Sequence, residues 1–329
     1  MSVSDHFDEA ARILGDQASR DVPLGPMTTY RVGGAAAVFA RPASLDDLLA
    51  VSSAHAATGL PVLVVGRGSN MLVADEGFPG IAVSLASLAA DIELGEPVGG
   101  PVAKPVAKPV TVVAGGAVAL PVLARRTVAA GLTGFEWAVG VPGTVGGGVR
   151  MNAGGHGSDM AASVVTVHLF DLRSGRHGVV AAHALGLRFR GSDLADHQVV
   201  LSATLELHTG DRARSAAELD EVVRWRREHQ PGGQNAGSVF VNPVPGEVTA
   251  GALIDQVGLR GMRLGSAHVS DKHANFIQAD EGGSAADVRA LVELVRATVA
   301  EETGVVMRSE VRLVGFADVV PDQHPGVAW

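Results

Sequence analysis

The 329-residue sequence contains no cysteine. Without cysteine the chain cannot form disulfides, thiolate nucleophiles or cysteine-based zinc sites. Lysine is rare as well, since it occurs only at Lys104, Lys108 and Lys272, and arginine supplies the other positive charges. Tyrosine occurs once, at Tyr30. Any redox chemistry must therefore depend on a bound cofactor, because the chain has no thiol of its own to oxidise or reduce.

Long hydrophobic runs and a surplus of positive charge are also missing. No apolar stretch reaches the roughly 18 residues that span a bilayer, and residues 1–8 are acidic and polar, unlike a secretory signal. The formal net charge of −9, without a basic stripe, argues against nucleic acid as a partner, although local arginines can still bind an anionic small molecule. We expect a cytoplasmic monomer with no membrane partner and no bound metal.

The length and the hydrophobic content of 47% suit two or three modest domains. Period-2 alternation and buried runs predict strands at residues 60–65, 80–85, 110–113, 164–171, 199–207 and 310–313. Capping signals and helical periodicity predict helices at residues 44–59, 117–130 and 215–228 and from Ser284, with a buried stripe at Val288, Leu291, Val292, Val295 and Val299. Such a pattern indicates an α+β protein with mixed sheets.

Three segments outside these elements have simpler interpretations. Residues 1–20 predict a short helix or a loose arm. The Pro-Val-Ala-Lys repeat at residues 101–110 predicts an exposed loop extension of a hairpin, because proline at every fourth position blocks both a helix and a central strand. The Pro231-Gly232-Gly233 sequence ends a predicted helix and indicates a domain boundary.

Residues 65–72 place two glycines directly after a buried strand, followed by Ser69 and Asn70. Glycine allows close backbone approach, and successive N–H groups can form a nest for an anion such as a pyrophosphate. A lone Gly-X-Gly after a strand is more often an ordinary turn. It is also not the dinucleotide-binding fingerprint, which needs a third glycine and a following helix.

Residues 140–157 contain eight glycines in eighteen positions. Such a segment is not expected to form a normal helix or strand, so its backbone either turns repeatedly or is approached closely by another group. Apolar anchors at Pro142, Val145, Val149 and Met151 distinguish it from a flexible Gly/Ser linker. The composition therefore favours a packed loop that contacts a ligand.

Three further segments complete the pattern, namely Phe-Arg-Gly-Ser at residues 189–192, Gln-Asn-Ala-Gly-Ser-Val-Phe-Val-Asn-Pro at 234–243 and Ser-Glu-Val-Arg at 309–312. Each alone is typical of a turn or a surface strand. In this order, and together with residues 27–34 and the two glycine segments, they resemble the UDP-N-acetylenolpyruvoylglucosamine reductases. The resemblance runs from about residue 28 to residue 315. The glycine segments alone would fit a wider group of FAD proteins.

The resemblance implies a two-part FAD-binding module of the vanillyl-alcohol-oxidase type with a separate C-terminal α/β substrate domain. We expect the first FAD-binding subdomain at residues 1–85, the second at residues 86–212 and the substrate domain at residues 213–329. The family reduces UDP-N-acetylglucosamine enolpyruvate to UDP-N-acetylmuramate in cell-wall precursor synthesis. NADPH reduces FAD and leaves, and N5 of the reduced flavin then passes hydride to the outer vinyl carbon of the substrate.

The resemblance also implies which residues carry the site. Ser238 would donate the proton, and Arg190 and Glu310 would stabilise the enolate. Alternation along a strand places Glu310 and Arg312 on one face, as a pair at a cleft would require. The residues implied for FAD are Tyr30, Gly66, Arg67, Gly68, Ser69, Asn70, Gly140, Pro142, Gly143, Thr144, Gly146, Gly147, Asn152 and Gly154. Those implied for the substrate are Asn242, His273, His229 and Arg226.

Several positions depart from the family pattern. Phe189 precedes the catalytic arginine where a tyrosine is usual, and His156 replaces the tyrosine that follows the Asn-Ala-Gly turn. His229 stands where a lysine usually contacts the diphosphate, so Arg226 or Arg227 would have to take that contact. Residues 207–218 are too short for the loop with which one branch of the family covers its substrate. The chain therefore resembles the shorter branch.

Two alternatives remain open at this point. An FAD-dependent alcohol or sugar oxidase with the same flavin-binding fold would share the glycine segments, and His156 could tether its flavin covalently. A flavin-binding or nucleotide-sugar-binding protein without catalysis would not need Arg190, Ser238 and Glu310, all of which are present.

Overall fold

The computed structural model describes residues 2–96, 107–244, 246–319 and 326–327. The predicted loop at residues 101–110 falls largely outside the described residues, and its last two residues, Pro109 and Val110, already belong to a strand. Within the described ranges, no helix combines the length and the apolar character that crossing a membrane would require.

The N-terminal part packs two helices against a four-stranded sheet. Its elements are α1 (Val3–Leu14), β1 (Ala18–Pro23), β2 (Ala35–Ala40), α2 (Leu45–Thr58), β3 (Val62–Val64), β4 (Met71–Val73) and β5 (Phe78–Val83). The sheet has the order β1-β2-β5-β3, in which β1 is antiparallel to β2 and the remaining pairs are parallel. Residues 1–20 thus include a helix, α1, as one of the two interpretations predicted.

Helix α2 shows why these boundaries fall where they do. The Ser44 hydroxyl accepts from the Asp47 N–H, and the Asp47 side chain accepts in return from the Ser44 N–H, which is the predicted capping box. Gly59 ends the helix in the left-handed region at φ 69°, where glycine is favoured. Leu48 and Val51 are fully buried on the inner face.

The middle part is a sheet with helices on one side. Its elements are β6 (Ile92–Leu94), β7 (Pro109–Gly115), α3 (Leu120–Ala129), β8 (Leu132–Thr133), α4 (Val145–Met151), β9 (Gly154–Gly155), β10 (Ser158–Asp159), β11 (Val164–Asp171), β12 (His177–Ala181) and β13 (Gln198–Thr209). The antiparallel sheet has the order β12-β11-β13-β7-β6, with β8 also on β13.

The glycine-rich segment contradicts the expectation that it could not form a helix, because α4 runs through three consecutive glycines. Thr144 caps α4 by accepting from the Gly147 N–H. The glycines let this helix lie against other parts of the chain. A Cβ on Gly146 would sit 3.1 Å from the Gly116 carbonyl oxygen, and one on Gly148 would sit 3.2 Å from Leu120. Tertiary packing therefore outweighs the low helix propensity of glycine.

The C-terminal part comprises α5 (Arg212–His229), α6 (Ala250–Gln256), β14 (Arg263–Leu264), β15 (Ala267–Val269), β16 (Ile277–Ala279), α7 (Ala285–Thr303) and β17 (Arg312–Val314). Strands β14-β15-β16 form a small antiparallel sheet against α7, whose predicted apolar stripe is buried. Helix α5 packs into the core of the middle part through Leu219 and Val222. The domain boundaries at residues 85 and 212 stay predictions.

Several predicted boundaries were wrong by two or three residues, as three examples show. Helix α3 begins at Leu120 rather than residue 117, behind a non-helical Ala119. Helix α5 begins at Arg212 rather than Ser215, because the Asp211 carboxylate caps it by accepting from two backbone N–H groups. Strand β17 begins at Arg312 rather than residue 310, since Glu310 bonds instead to the Val239 backbone.

Asp75 joins the N-terminal part to helix α7. Its carboxylate accepts from the Ser284 hydroxyl at 2.7 Å and from the N–H groups of Ala285 at 2.8 Å and Ala286 at 3.0 Å. Burial raises the pKa of Asp75, but these hydrogen bonds outweigh it, so the pKa lies below its ordinary value. We expect Asp75→Ala to lower the free energy of unfolding by about 1–2 kcal/mol, as loss of a helix cap does.

Because the folded pKa is lowered, this stabilisation is fully present above the ordinary aspartate range and is lost as the pH falls through the lowered value. Urea unfolding of the unchanged protein and of Asp75→Ala, at neutral pH and in steps toward pH ~3, should show the two curves converging at low pH. Glu76→Ala alters an adjacent exposed carboxylate and is the control. Curves that differ equally at every pH would contradict the assigned role.

Candidate active site

A cleft of about 730 Å³ lies where the three parts of the chain meet. It contains most of the predicted site residues. Those that line it are Gly66, Arg67, Gly68, Ser69, Asn70, Gly140, Pro142, Gly143, Thr144, Gly146, Gly147, Gly154, Arg190, Arg226, Ser238 and Glu310. Six segments that are distant in sequence therefore converge on one cavity.

The two glycine segments face each other across the cleft. A Cβ on Gly66 would lie 2.9 Å from the Thr144 hydroxyl oxygen, and one on Gly143 would lie 3.5 Å from the Ser69 hydroxyl oxygen. Larger side chains would fill the space between the segments. Both walls expose backbone without side chains, and the Thr144 and Ser69 hydroxyls lie between them. Such a surface can bind an extended cofactor that contains a diphosphate, so the residues present fit FAD.

Arg190 and Glu310 form a partly buried pair. Nε of Arg190 lies 3.6 Å from Oε1 of Glu310, whose side chain is only 15% exposed. Nη1 of Arg190 donates to the Gly154 carbonyl at 3.1 Å, while its buried Nε makes no hydrogen bond with any described residue. Burial raises the pKa of Glu310, although Arg190 and Arg308 oppose that rise. Burial therefore favours the protonated carboxyl beside a permanent cation.

Arg190 itself has a backbone conformation that is uncommon for its residue type, with φ at 56°. A non-glycine residue in the left-handed region costs free energy and persists only where its surroundings hold it. The Gly154 hydrogen bond and the contact with the Phe189 ring, 5.6 Å from the guanidinium carbon, hold the side chain here. The backbone thus directs the guanidinium toward the cleft at a local cost.

Ser238 lies next to Glu310 because two backbone segments pair. The Glu310 N–H donates to the Val239 carbonyl at 2.8 Å, and the Val241 N–H donates to the Arg308 carbonyl at 2.9 Å. Ser238 lines the cleft, and its hydroxyl makes no hydrogen bond within the part of the chain that the structure describes. Its proton is therefore available to a group bound in the cleft.

Two hydrogen bonds join the first glycine segment to the segment that contains Glu310. Nδ2 of Asn70 donates to the Glu310 carbonyl at 2.9 Å, and the Arg312 N–H donates to the Asn70 carbonyl at 3.0 Å. Beyond this point β4 and β17 pair in parallel, with Met71 opposite Arg312. Glu310 and Arg312 both line the cleft, as strand alternation predicted, and Val311 is buried on the other side.

A charged cluster in the cleft was missed at the sequence level. The Asp196 carboxylate pairs with the guanidinium groups of both Arg150 and Arg312. All three side chains line the cleft. Asp196 lies in a loop without a motif, 46 residues from Arg150 and 116 from Arg312, so no local sequence pattern could have joined them.

Two residues predicted to bind the cofactor lie outside the cleft lining. Tyr30 is fully buried in the C-terminal core, and burial raises its pKa. Asn152 ends α4 at φ 40°, and its side chain donates to Asp159 and to the Arg188 carbonyl and accepts from the Ala161 N–H. With these bonds made, Asn152 shapes the loop that carries Gly154 rather than facing the cavity.

Three residues predicted to bind the substrate also lie outside that lining. Oδ1 of Asn242 accepts from the Ala250 N–H at 3.1 Å at the start of α6. Nδ1 of His273 accepts from the Asn275 N–H at 3.2 Å, and burial lowers the pKa of His273. His229 is exposed and stacks on Trp225. Arg226, the fourth residue of this set, does line the cleft.

Trp225 and His156 line the cleft beside Arg226, although no motif in the sequence pointed to Trp225. A tryptophan within an otherwise polar helix segment, Arg-Trp-Arg-Arg, was the signal that could have identified it. Burial is also the main reason that the pKa of His156 is lowered. This part of the wall is aromatic and cationic, unlike the glycine-rich part.

The fold and the site together define a flavoprotein. Residues 36–180 match the FAD binding domain family, which confirms the predicted FAD-binding module and FAD as cofactor. Residues 229–314 match the family described as UDP-N-acetylenolpyruvoylglucosamine reductase, C-terminal domain. The chain belongs to the UDP-N-acetylenolpyruvoylglucosamine reductase family, as the resemblance predicted.

Relatives cover nearly the whole chain. The UDP-N-acetylenolpyruvoylglucosamine reductase of Heliobacterium modesticaldum is 40% identical, over 93% of this chain and 94% of its own length. That of Paramagnetospirillum magneticum is 39% identical, over 95% and 96%. The crystal structure of the reductase from Thermus caldophilus is 31% identical, covers 90% of this chain and 98% of its own, and has a TM-score of 0.74.

Proposed function

We propose that this protein reduces UDP-N-acetylglucosamine enolpyruvate to UDP-N-acetylmuramate, with NADPH as the source of electrons, in the synthesis of peptidoglycan precursors. The observation that carries the proposal is the convergence of Arg190, Ser238 and Glu310 on the cleft that both glycine segments line. The domain division expected from the sequence, a cytoplasmic location and a monomeric state are part of the same proposal.

We assign one part of the cleft to the cofactor and another to the substrate. Residues 66–70 and 140–147 and Gly154 would hold FAD, which supplies, once reduced, a hydride for the outer vinyl carbon. Arg190 and Glu310, which form a pair in the cleft, would bind the carboxylate of the enolpyruvyl group. Arg226 would contact the diphosphate in place of the usual lysine. Roles for Tyr30, Asn152, Asn242, His273 and His229 as direct ligands stay predictions.

Arg190 and Glu310 stabilise the charge that develops on the substrate. Addition of hydride to one carbon of the double bond leaves an electron pair on the neighbouring carbon, delocalised into the carboxylate. The fixed guanidinium of Arg190 is oriented toward that charge before the reaction begins, so little reorganisation is needed. A protonated Glu310 can donate a second hydrogen bond to the same oxygens, which an ionised carboxylate could not.

Ser238 completes the reaction. Its hydroxyl proton passes to the carbon that bears the electron pair, which gives the saturated lactyl ether, and solvent returns a proton to the serine oxygen. A serine hydroxyl is a weak acid, but an enolate carbon is basic enough to take its proton. Arg190 lines the same cleft, and its positive charge would also stabilise the transient alkoxide.

Visible absorption spectroscopy tests the proposal directly. The purified protein should be yellow, should bleach with NADPH without oxygen, and should regain its colour when UDP-N-acetylglucosamine enolpyruvate is added. Colour that returns only with oxygen would indicate the oxidase instead. Flavin that stays with acid-precipitated protein would indicate a covalent tether. Protein without flavin, or flavin that NADPH does not bleach, would overturn the proposal.

A further inference from the structure

Residues 326–327, the last part of the chain that the structure describes, pack onto the start of β13. Val327 is buried in the core of the middle part. Its carbonyl accepts from Nε2 of Gln198 at 2.6 Å, and its N–H donates to Oε1 of the same side chain at 2.8 Å. The Gln198 amide therefore bonds to both polar groups of the Val327 backbone, as a residue on a neighbouring strand would.

The surroundings of the Gln198 amide fix its position. Gln198 is only 5% exposed, and its Oε1 accepts a further hydrogen bond from the Ala195 N–H at 3.2 Å. Gly326 has φ 84°, and a Cβ on it would lie 2.6 Å from Cδ of Gln198. The amide cannot move aside for such an atom without leaving buried polar groups unpaired, so this close approach requires glycine.

Gln198 is the first residue of the strand that forms one wall of the cleft. Gln198 and Val200 both line the cleft. A Cβ on Gly146, in the part assigned to the cofactor, would lie 3.4 Å from Cβ of Val200. The Gly146 N–H donates to the Gly116 carbonyl at 2.8 Å, and the Gly116 N–H donates to the Leu201 carbonyl at 2.7 Å. A shift of the start of β13 would therefore move the backbone against which the second glycine segment packs.

The loop just before Gln198 carries the charged cluster of the cleft. The Ala195 carbonyl accepts from Nη1 of Arg150 at 2.8 Å and from the Gln198 N–H at 3.0 Å. Asp196, the next residue, pairs with both Arg150 and Arg312. The position of Gln198 thus affects two features of the wall, the contact with the glycine segment and the charged cluster.

We propose that Gln198 is a positioning residue for the cofactor part of the cleft, and that the 326–327 segment holds it in place. Neither Gln198 nor this segment lies within residues 36–180 or 229–314, the stretches that match the two families. Undocking of the segment leaves the Gln198 amide unpaired, loosens the start of β13 and weakens the binding of flavin. The inference requires bound FAD but not the proposed reaction, so either can fail without the other.

Release of flavin from the loaded protein tests the inference, with the rise of flavin fluorescence after dilution as the measurement. We expect Gly326→Ala and Gln198→Ala each to release FAD roughly tenfold faster than the unchanged protein, because each separates a buried hydrogen-bonding group from its partner. Gly246→Ala is the matched control, since Gly246 has φ 83° and no atom within 4 Å of its Cβ position. It should release FAD at the unchanged rate.

A double variant shows whether Gly326 and Gln198 act as one unit. In Gln198→Ala the side chain that a Cβ at residue 326 would strike is absent, so adding Gly326→Ala should accelerate release little further. Two residues that stabilised the fold independently would instead give effects that multiply. Unchanged release in Gly326→Ala, multiplied effects in the double variant, or faster release in Gly246→Ala would each overturn the inference.

The unchanged protein offers a second measurement that needs no variant. If docking of the 326–327 segment strengthens the binding of flavin, bound flavin must strengthen docking by the same factor. Hydrogen–deuterium exchange at the Val327 amide, which donates to Gln198, should therefore be about tenfold slower with FAD bound than after its removal. Equal exchange rates in the two states would contradict the proposal even if no variant folded.

Discussion

Ser238→Ala is expected to leave the bleaching of the flavin by NADPH intact while slowing its reoxidation by the enolpyruvyl sugar by roughly 10³-fold. Loss of a positioned proton donor typically costs between 10² and 10⁴. The hydroxyl lines the cleft and makes no hydrogen bond to a described residue, so its removal should leave the surrounding fold unchanged. Stopped-flow absorbance, with each half-reaction followed separately, would measure both rates.

Ser309→Ala is the matched control for that experiment. The Ser309 hydroxyl, in the segment that also carries Glu310, accepts from the Val311 N–H at 3.2 Å and can donate to either the Val239 or the Val311 carbonyl, each at 3.4 Å. It should therefore change local stability more than reoxidation. Equal loss of both half-reactions in Ser238→Ala would mean that the serine acts on flavin or NADPH binding, and the proton-donor role would then be abandoned.

Glu310→Ala is expected to slow reoxidation by about 10² to 10³, the usual loss on removing one donor to a developing oxyanion. Glu310→Gln should retain more of the rate, because the amide is uncharged and can still donate a hydrogen bond. Neither change should affect bleaching by NADPH. The comparison of the two variants matters because an amide could not take over the function of a carboxylate that served only as an ion-pair partner for Arg190.

The pH dependence follows from the raised pKa of Glu310. The protonated carboxyl is the donor, so its contribution is complete well below the raised pKa and declines as the pH rises through it. Reoxidation in the unchanged protein should therefore fall with rising pH above the ordinary glutamate range, whereas Glu310→Gln should be flat there. A decline that persists in Glu310→Gln would assign the titrating group elsewhere.

Much of the fold was predictable because its signals are local. The capping box at Ser44 and the apolar stripe of α7 each depend on residues within a few turns of one another, and both were confirmed. The glycine-rich segment was not predictable in the same way. Its helix forms because Gly146 and Gly148 fit against Gly116 and Leu120, which are distant contacts that override local propensity.

In the site as well, residues within sequence motifs were predictable, whereas residues that only the fold brings together were not. Arg190, Ser238 and Glu310 stand in recognisable segments and converge on one cleft. The Asp196 cluster joins residues far apart in the chain and has no local pattern, so only the fold could reveal it. Asn152 and Asn242 were predicted to bind ligands directly. In the structure, the side-chain oxygen of each already accepts a hydrogen bond from a backbone N–H, which no sequence motif indicates.

The hydrogen bond between Asn70 and the Glu310 backbone also bears on the order in which flavin and substrate bind. The turn that would hold the cofactor is joined to the backbone of Glu310 by the Asn70 hydrogen bond to the Glu310 main-chain carbonyl, and a short parallel strand pair follows directly. A displacement of the turn as the cofactor enters must therefore move the Glu310 backbone as well. We therefore expect that protein without flavin binds the enolpyruvyl sugar more weakly than flavin-loaded protein does, even though every side chain proposed to contact the sugar is present.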